Sequence, residues 1–247
     1  MTEAVYVERV NLAIDYIVGR VDGPIRLGGV AKAAMFSPHH FHRVFQMVVG
    51  ETIGDFVRRV RLDRALRMMA TDRRMPISQV AGACGFASAS DFSRSFKQRF
   101  GASPRGFDLG AWQAKNMQRL EMTLPEEARA QHVKRLAPEA NPDRFKVRVR
   151  DLPARTVAYV RVARPYEPGA VVGGVEKLMR WAEARGVAEN QWLGYQWENP
   201  DLVPLEQCAY CAAVVVDRVS AEGEVGRYRF PAMTVAEIEV RGAIDLE

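Results

Sequence analysis

The sequence has few cysteines, no long apolar segment and no histidine beyond His132. Three cysteines, an odd number, argue against a disulfide framework and fit a reducing cytoplasm. No run of about eighteen apolar residues occurs, and the N-terminal segment lacks the basic start and the cleavage site of a signal peptide. We therefore expect a cytoplasmic protein without a membrane partner. Without histidine, residues 133–247 offer no Ser-His-acid or Cys-His arrangement for nucleophilic catalysis.

Charge is divided unevenly along the 247 residues, a length that suggests two domains. Residues 1–110 carry 16 Lys and Arg against 10 Asp and Glu, whereas residues 143–247 carry 14 against 16. A basic excess attracts phosphate, so the first part is the candidate for nucleic-acid binding. The acidic second part is not a second nucleic-acid surface on this count.

Residues 77–107 have the pattern of two short helices joined by a glycine turn. Apolar residues follow a helical spacing until Gly85 breaks the pattern. Phe92, Phe96 and Phe100 then stand four apart on one stripe, with polar and basic residues on the other faces. This arrangement is typical of a helix-turn-helix. An ordinary helical hairpin with a solvated polar face would explain this one segment equally well.

The same pattern occurs once earlier in the chain, about fifty residues upstream. FHRVFQMVVGETIGDF, residues 41–56, aligns with FSRSFKQRFGASPRGF, residues 92–107. The first two phenylalanines, the arginine, the glycine and the closing phenylalanine are in register. Two such copies are hard to explain as chance, so a double helix-turn-helix is favoured over an ordinary hairpin.

The segment Arg59–Phe107 reads RVRLDRALRMMATDRRMPISQVAGACGFASASDFSRSFKQRFGASPRGF. It resembles the AraC/XylS-type family of transcription regulators, with a linker helix beginning RL, a GF turn, an FxRxF helix and a closing FGxSPxxF. The resemblance covers about the first 110 residues of the chain. It implies an all-α double helix-turn-helix domain that binds double-stranded DNA and contacts RNA polymerase.

The resemblance places the DNA contacts on the exposed N-terminal turns of two recognition helices. They are His39, His42, Arg43 and Gln46 in the first copy, and Ala89, Ser90, Ser93, Arg94 and Lys97 in the second. Arg pairs with guanine and Gln with adenine, whereas Ala reaches only a thymine methyl group. We therefore expect the first copy to read sequence and the second mainly to hold the DNA backbone. The alternative for Arg43 and Arg94 is a structural salt bridge within each unit.

A long helix over residues 52–70 is predicted between the two copies. Held rigidly about one DNA turn apart, roughly 34 Å, two recognition helices read successive major-groove faces without dimerisation. The oligomeric state, monomer or dimer, stays open at this point. Further helices are predicted at 3–19, 26–35 and 39–49.

After residue 143 the pattern changes to short strands around one helix, which is an α+β arrangement. The strand-like runs are FKVRVRDL, RTVAYVRVA, WLGYQWENP, CAYCAAVVVD and RYRFPAMTVAEIEVRG, and the helix covers 170–185. GYQWENPDLVPLEQCAYCAAVVV and YRFPAMTVAEIEVRG resemble the gyrase-inhibitor-like effector-binding domain. That resemblance implies two strand-helix-strand units with a ligand cleft. The second unit is expected to be incomplete and to lack the family's acidic ligand-contacting residue.

These patterns divide the chain into three parts. A double helix-turn-helix DNA-binding domain is predicted at 1–110 and a gyrase-inhibitor-like effector-binding domain at 144–247. Between them lies a predicted linker at 111–143 that contains one helical piece, Glu126–Leu136.

The histidines and cysteines do not have the spacing of a metal site. His39 and His42 share a helix face, but His40 points elsewhere and no carboxylate or cysteine is nearby in sequence. Cys208 and Cys211 form a CxxC, a spacing found in redox and zinc sites. In a strand, however, positions three apart face opposite sides. We predict packed, unpaired cysteines, no metal and no cofactor.

Tyr195 and Trp197 share one face of a predicted strand and are the candidate ligand-binding residues. An aromatic wall for a flat apolar or cationic ligand and simple core packing explain them equally well. The sequence thus predicts a DNA-binding transcription regulator, not an enzyme, that is modulated by a small molecule in its second domain. A ligand-free interaction module in the second half is the alternative hypothesis, and a small-molecule hydrolase of the same fold is a third.

Overall fold

The computed structural model describes residues 3–123, 147–217 and 223–238. Among them, the helices α1 (Glu3–Val18), α2 (Leu27–Ala33), α3 (Pro38–Val49), α4 (Ile53–Thr71), α5 (Ile77–Ala83), α6 (Ala89–Phe100) and α7 (Leu109–Thr123) come first. They are followed by β1 (Arg148–Leu152), β2 (Arg155–Ala163), α8 (Ala170–Glu183), β3 (Trp192–Gln196), a 3-10 turn (Leu205–Gln207), β4 (Ala209–Val215), β5 (Val225–Phe230) and β6 (Met233–Glu237). A helical part followed by an α+β part confirms the predicted fold class.

The first helix-turn-helix consists of α2 and α3, with α1 packed against both. Val30, Phe41 and Phe45 are fully buried in its core, because they fall on the inner stripes of their helices. Pro38 occupies the first turn of α3, where its missing N–H would be unpaired in any case. The helix ends at Gly50, which adopts a left-handed conformation.

The second helix-turn-helix consists of α5 and α6 and repeats this arrangement. Phe92 and Phe96 are fully buried, as their counterparts are in the first copy. The hydroxyl of Ser88 caps α6 by accepting a hydrogen bond from the Asp91 backbone N–H at 3.1 Å. Gly101 ends α6 in a left-handed conformation, so the predicted repeat is confirmed at the level of helix ends as well as core residues.

The α4 helix joins the two copies, as predicted. Thr52 caps it by accepting from the Asp55 backbone N–H, and the helix runs without a break to Thr71. Leu62 and Leu66 are fully buried on its inner side, within the core of the second copy. The connection between the copies is therefore one continuous helix.

The start of the predicted 111–143 linker is helical, which corrects the sequence analysis. Leu109 and Leu120 of α7 are buried. The Trp112 indole Nε1 donates to the Leu202 carbonyl at 2.8 Å, so this helix packs against the second domain. The predicted helical piece Glu126–Leu136 lies outside the described residues.

Four strands of the second domain form one antiparallel sheet in the order β3-β4-β2-β5. Helix α8 covers one face of the sheet, where Ala158, Leu178 and Val214 are buried. The other face carries an aromatic cluster around Tyr159 and Phe230. Strands β1 and β6 pair separately as a two-stranded antiparallel sheet.

Two strand predictions need correction. The 145–152 segment was expected to be a half-buried strand, but Val147 and Val149 are 57% and 72% exposed because the described part of the fold packs no layer on them. The single strand-like run at 227–242 is divided into β5 and β6. Pro231 lies between them, and a proline cannot donate the hydrogen bond that a continuous ladder requires.

Candidate nucleic-acid interface and interdomain contacts

The α3 helix presents its predicted contact residues to solvent. His39, His42, Arg43 and Gln46 are all exposed, while the phenylalanines of the same helix face the core. These four side chains therefore share the outer face of the first recognition helix. They include two groups that can pair bidentately with a base edge, the Arg guanidinium and the Gln amide.

The α6 helix presents a similar but less polar face. Ser90, Arg94 and Lys97 are exposed, whereas Ala89 and Ser93 are half-buried. Ala89, Ser90 and Ser93 also line one wall of an open groove of about 480 Å³ beside the start of the helix. The structure thus brings the five predicted residues of the second copy to one side of α6.

Arg43 and Arg94 form no ion pair in the described part of the chain. A structural salt bridge, the alternative role for Arg43 and Arg94, is therefore not supported by the described residues. Arg59 differs from them, because it binds Glu51 at 2.8 Å and its side chain is only 11% exposed. A guanidinium held on an exposed helix face without a partner is free to contact DNA.

Three exposed arginines that the sequence analysis did not select lie close to the second copy. Arg73 and Arg74 line a groove together with Pro104 and Arg105. Arg105 also lines the groove beside the start of α6. The only signal in the sequence was the Arg-Arg pair before Pro76, which is too short to identify a phosphate contact by itself.

A buried ion pair connects the first helix-turn-helix to the second domain. Asp15 on α1 accepts from Arg161 Nη2 at 2.8 Å and from the Tyr159 hydroxyl at 2.5 Å, and Arg161 Nε donates to the Asn11 side chain at 3.1 Å. Burial raises the pKa of the Asp15 carboxyl, with Arg161 and Tyr159 opposing the shift. Arg161 and Tyr159, the partners of Asp15 on the sheet, both belong to β2, which is an inner strand.

A second charged cluster connects the other copy to the same domain. Arg99 on α6 donates through Nη2 to Asp63 at 3.0 Å and to Gln207 of the second domain at 2.7 Å. Burial raises the pKa of the Asp63 carboxyl, with Arg99 and Arg59 opposing the shift. Arg67 of α4 also donates to the Trp197 carbonyl. Each helix-turn-helix therefore has its own polar contact with the sheet domain.

The predicted ligand-binding residues lie together in the aromatic cluster. The ring centroids of Tyr195 and Trp197 are 5.5 Å apart, and Tyr195 also contacts Phe230 and Tyr159. The Trp197 Nε1 atom is buried and has no hydrogen-bond partner among the described residues. The predicted proximity of the two side chains is confirmed, and their role in ligand binding stays a prediction.

All three cysteines are buried and unpaired, as predicted. Cys208 packs with the core of the second helix-turn-helix, whereas Cys211 faces the aromatic cluster, so the two CxxC sulfurs do not share a site. Within the described ranges, no group of three His, Cys, Asp or Glu side chains could hold a metal ion. In that same part of the chain, no helix is both long and apolar enough to cross a membrane.

Comparison with known proteins decides the family. Residues 30–108 match the family described as a helix-turn-helix domain. The regulatory protein SoxS of Escherichia coli is 33% identical over 94 residues, which make up 38% of this chain and 87% of SoxS. The chain belongs to the AraC-type family of transcription regulators.

The second half of this AraC-type chain matches a different family. Residues 145–246 match the GyrI-like small molecule binding domain.

Two further regulators are similar to parts of the chain. It is 36% identical over 105 residues to the probable transcriptional regulator LumQ of Photobacterium leiognathi, covering 42% of each protein. An HTH-type transcriptional regulator of Mycobacterium tuberculosis is 41% identical over 86 residues, which are 35% of this chain and 33% of that protein.

The chain spans less than half the length of these last two relatives. All three relatives are regulators rather than enzymes, which agrees with the non-enzyme prediction.

Proposed function

We propose that the chain binds specific DNA sequences by placing α3 and α6 in successive major-groove faces. The observation that carries the proposal is the pair of equivalent arginines, Arg43 and Arg94. Both are exposed on repeated helices, and neither has an ion-pair partner in the described part of the chain. The continuous α4 helix favours a fixed spacing between the two contacts.

The two copies would contribute differently to binding. Arg43 and Gln46 of the first copy supply bidentate groups for guanine and adenine. The second copy has serines and an alanine at its start, with Arg73 and Arg105 nearby for phosphate. We therefore assign sequence reading mainly to α3 and backbone contacts mainly to α6 and its neighbouring loops.

The second domain would supply a small-molecule signal, and the complex would act on transcription by contacting RNA polymerase. Support for a ligand comes from the GyrI-like match and from the unpartnered Nε1 atom of Trp197, which could donate to a bound acceptor. A DNA-binding regulator acts where the DNA is, so the cytoplasm is the proposed location. Packing of the aromatic rings against one another favours the alternative, an interaction module without a ligand on this face.

Selection from a pool of duplex DNA, followed by titration at two salt concentrations, tests the proposal. We expect an enriched motif that spans two adjacent helical turns, with binding that weakens steeply as salt rises. Arg43→Ala should relax one half of the motif and cost about 1–3 kcal/mol of binding free energy. Arg164→Ala, which removes one exposed charge from the second domain, is the matched control and should leave the motif intact. Weak, unselective binding that Arg43→Ala leaves unchanged would refute the proposal.

A further inference from the structure

The loop between α1 and α2, residues 19–26, belongs to the first helix-turn-helix but lies against the second. A Cβ added at Gly85, in the turn between α5 and α6, would lie 2.6 Å from the Val21 carbonyl oxygen and 3.0 Å from the Asp22 carbonyl carbon. The backbone of the α1–α2 loop therefore packs directly on the backbone of the second copy's turn. The two copies thus meet at a second place besides the connecting helix α4.

The equivalent turn of the first copy has the same conformation but carries a side chain. Met35 stands where the second copy has Gly85, and their φ angles are 55° and 74°. The backbone N–H groups of Phe36 and Phe86, the next residues, each donate to the carbonyl five positions upstream at 3.0 Å. Met35 is 57% exposed. The turn therefore tolerates a side chain, and the glycine of the second copy makes room for the α1–α2 loop.

Arg61 of α4 holds the loop at this place. Its Nε donates to the Val21 carbonyl at 3.0 Å, and its Nη2 donates to the Gly23 carbonyl at 2.7 Å. Asp91, in the first turn of α6, also attracts this guanidinium electrostatically. A planar guanidinium holds two acceptors in a fixed geometry. One side chain thus binds the loop of the first copy and interacts with the recognition helix of the second.

Arg61 lies where α4 passes from one core to the other. Ile53 and Phe56 belong to the core of the first copy, whereas Leu62 and Leu66 belong to that of the second. A long helix can curve, so α4 alone does not fix the angle between the structures at its two ends. A second contact beside the junction does.

We propose that Arg61 and Gly85 set the angle between α3 and α6, and thereby the spacing that the chain accepts between the two halves of its DNA motif. Arg61 is a positioning residue, which acts through the α1–α2 loop rather than by touching DNA. The consequence for DNA rests on the proposed function, whereas the placement of the two copies does not.

Distances between spin labels in the full chain without DNA test this placement. Labels attach to Met47→Cys on α3 and Lys97→Cys on α6, which are exposed positions, while the three native cysteines are buried. We expect a narrow distance distribution that shifts or broadens in Arg61→Ala and in Gly85→Ala. Arg61→Lys keeps the charge and should broaden it less. An unchanged distribution in folded Arg61→Ala and Gly85→Ala overturns the proposal.

Two control variants separate this effect from a general loss of stability. Arg58 lies one turn earlier on α4 and pairs with Asp55 of the same helix at 3.0 Å, so Arg58→Ala should leave the distances unchanged. Gly101→Ala strains a similar φ of 77° with no atom within 4 Å of the added carbon, and it should leave them unchanged as well. Broadening in these controls equal to that in Arg61→Ala and Gly85→Ala would overturn the proposal.

Duplexes with one base pair inserted between the two halves of the selected motif test the effect on DNA. The insertion turns one half by roughly 35° about the DNA axis and moves it by about 3.4 Å. We expect the unmodified chain to lose about tenfold in affinity, as for one mismatched base pair, and Arg61→Ala to lose only about threefold. If Arg61 contacted a phosphate instead, Arg61→Ala would weaken binding at every spacing alike and reduce the salt slope by about 1, which overturns the proposal. Failure to select any motif would refute DNA binding alone, because the spin-label distances test the placement separately.

Discussion

Asp15 and Arg161 form a buried ion pair across the two domains, with 2.8 Å between Asp15 Oδ1 and Arg161 Nη2. Their side chains are only 10% and 11% exposed. Asp15 lies on the helix that supports the first recognition helix, and Arg161 lies on a central strand of the other domain. Tyr159 donates its hydroxyl to Asp15 and contacts Tyr195 with its ring, so this pair also lies next to the aromatic cluster.

Removal of one partner from this pair should be costly. Asp15→Ala leaves Arg161 buried without its counter-charge, and we expect the free energy of unfolding to fall by about 3 kcal/mol. Urea unfolding followed by circular dichroism measures the change. Glu167→Ala is the matched control, because its pair with Arg164 is exposed and should contribute less than about 1 kcal/mol. Equal effects of the two variants would show that the buried pair does not stabilise the domain contact.

Gly85 should be the most restrictive glycine of the two helix-turn-helix copies. It has a φ of 74°, and a Cβ added there would lie 2.6 Å from the Val21 carbonyl oxygen. Gly85→Ala should therefore lower the free energy of unfolding by about 2 kcal/mol or more through strain and collision together. Gly101→Ala has a similar φ of 77° but no atom within 4 Å of the added carbon, so it should lose only about 1 kcal/mol. Thermal denaturation of both variants would separate the backbone strain from the collision of the added Cβ. Equal decreases in the free energy of unfolding would contradict the collision.

The repeat of Phe41 and Phe45 in Phe92 and Phe96 made the helical half predictable. Most residues of each core belong to the copy itself, and helical spacing encodes such local contacts directly. The contact residues on α3 and α6 came from the resemblance to the AraC/XylS-type family, and the spacing adds only that the outer face of each helix is the one without phenylalanine.

Contacts between the domains left no comparable signal in the sequence. Asp15 and Arg161 are 146 positions apart, so no periodicity links them. Helix α7 was missed for the same reason, since Trp112 and Asn116 find their partners at Leu202 and Asp201 rather than within their own helix. For the β1 strand the sequence pattern led to a wrong prediction. Its alternation of valine with charged residues is the pattern of a half-buried strand, but the strand is exposed.

The three thiols should be protected in the folded protein. Burial raises the pKa of Cys84 to about 11 and that of Cys208 to about 12, from an ordinary value of 9.0. Both thiols therefore stay protonated at pH 8, where the thiolate is the reactive form. We expect a disulfide reagent such as Ellman's to titrate all three cysteines only after denaturation. Rapid reaction of a folded thiol at pH 8 would contradict this prediction.

The same shifts predict how stability changes in alkali. An unfolded thiol loses its proton near pH 9, whereas the folded Cys84 and Cys208 keep theirs until about pH 11 and 12. The folded state then binds more protons than the unfolded state, so the free energy of unfolding should fall as pH rises above 9. Cys84→Ala should reduce this pH dependence, which urea titrations at pH 8 and pH 10 would detect. An unchanged slope in the variant would exclude Cys84 as a contributor.

Arg105 should act on DNA affinity without acting on sequence preference. It is exposed in the groove beside the start of α6 and in the groove that Arg73 and Arg74 also line, and in the described part of the chain it has no ion-pair partner. If it binds a phosphate, Arg105→Ala weakens binding to all sequences alike and reduces the salt slope of the binding constant by about 1. Arg43→Ala should instead change the selected motif, because base contacts carry sequence information and phosphate contacts do not. Titrations of both variants over a range of salt concentrations, with selected and scrambled duplexes, distinguish the two roles. Loss of selectivity in Arg105→Ala, or a salt slope equal to that of the unmodified chain, would show that Arg105 is not a backbone contact.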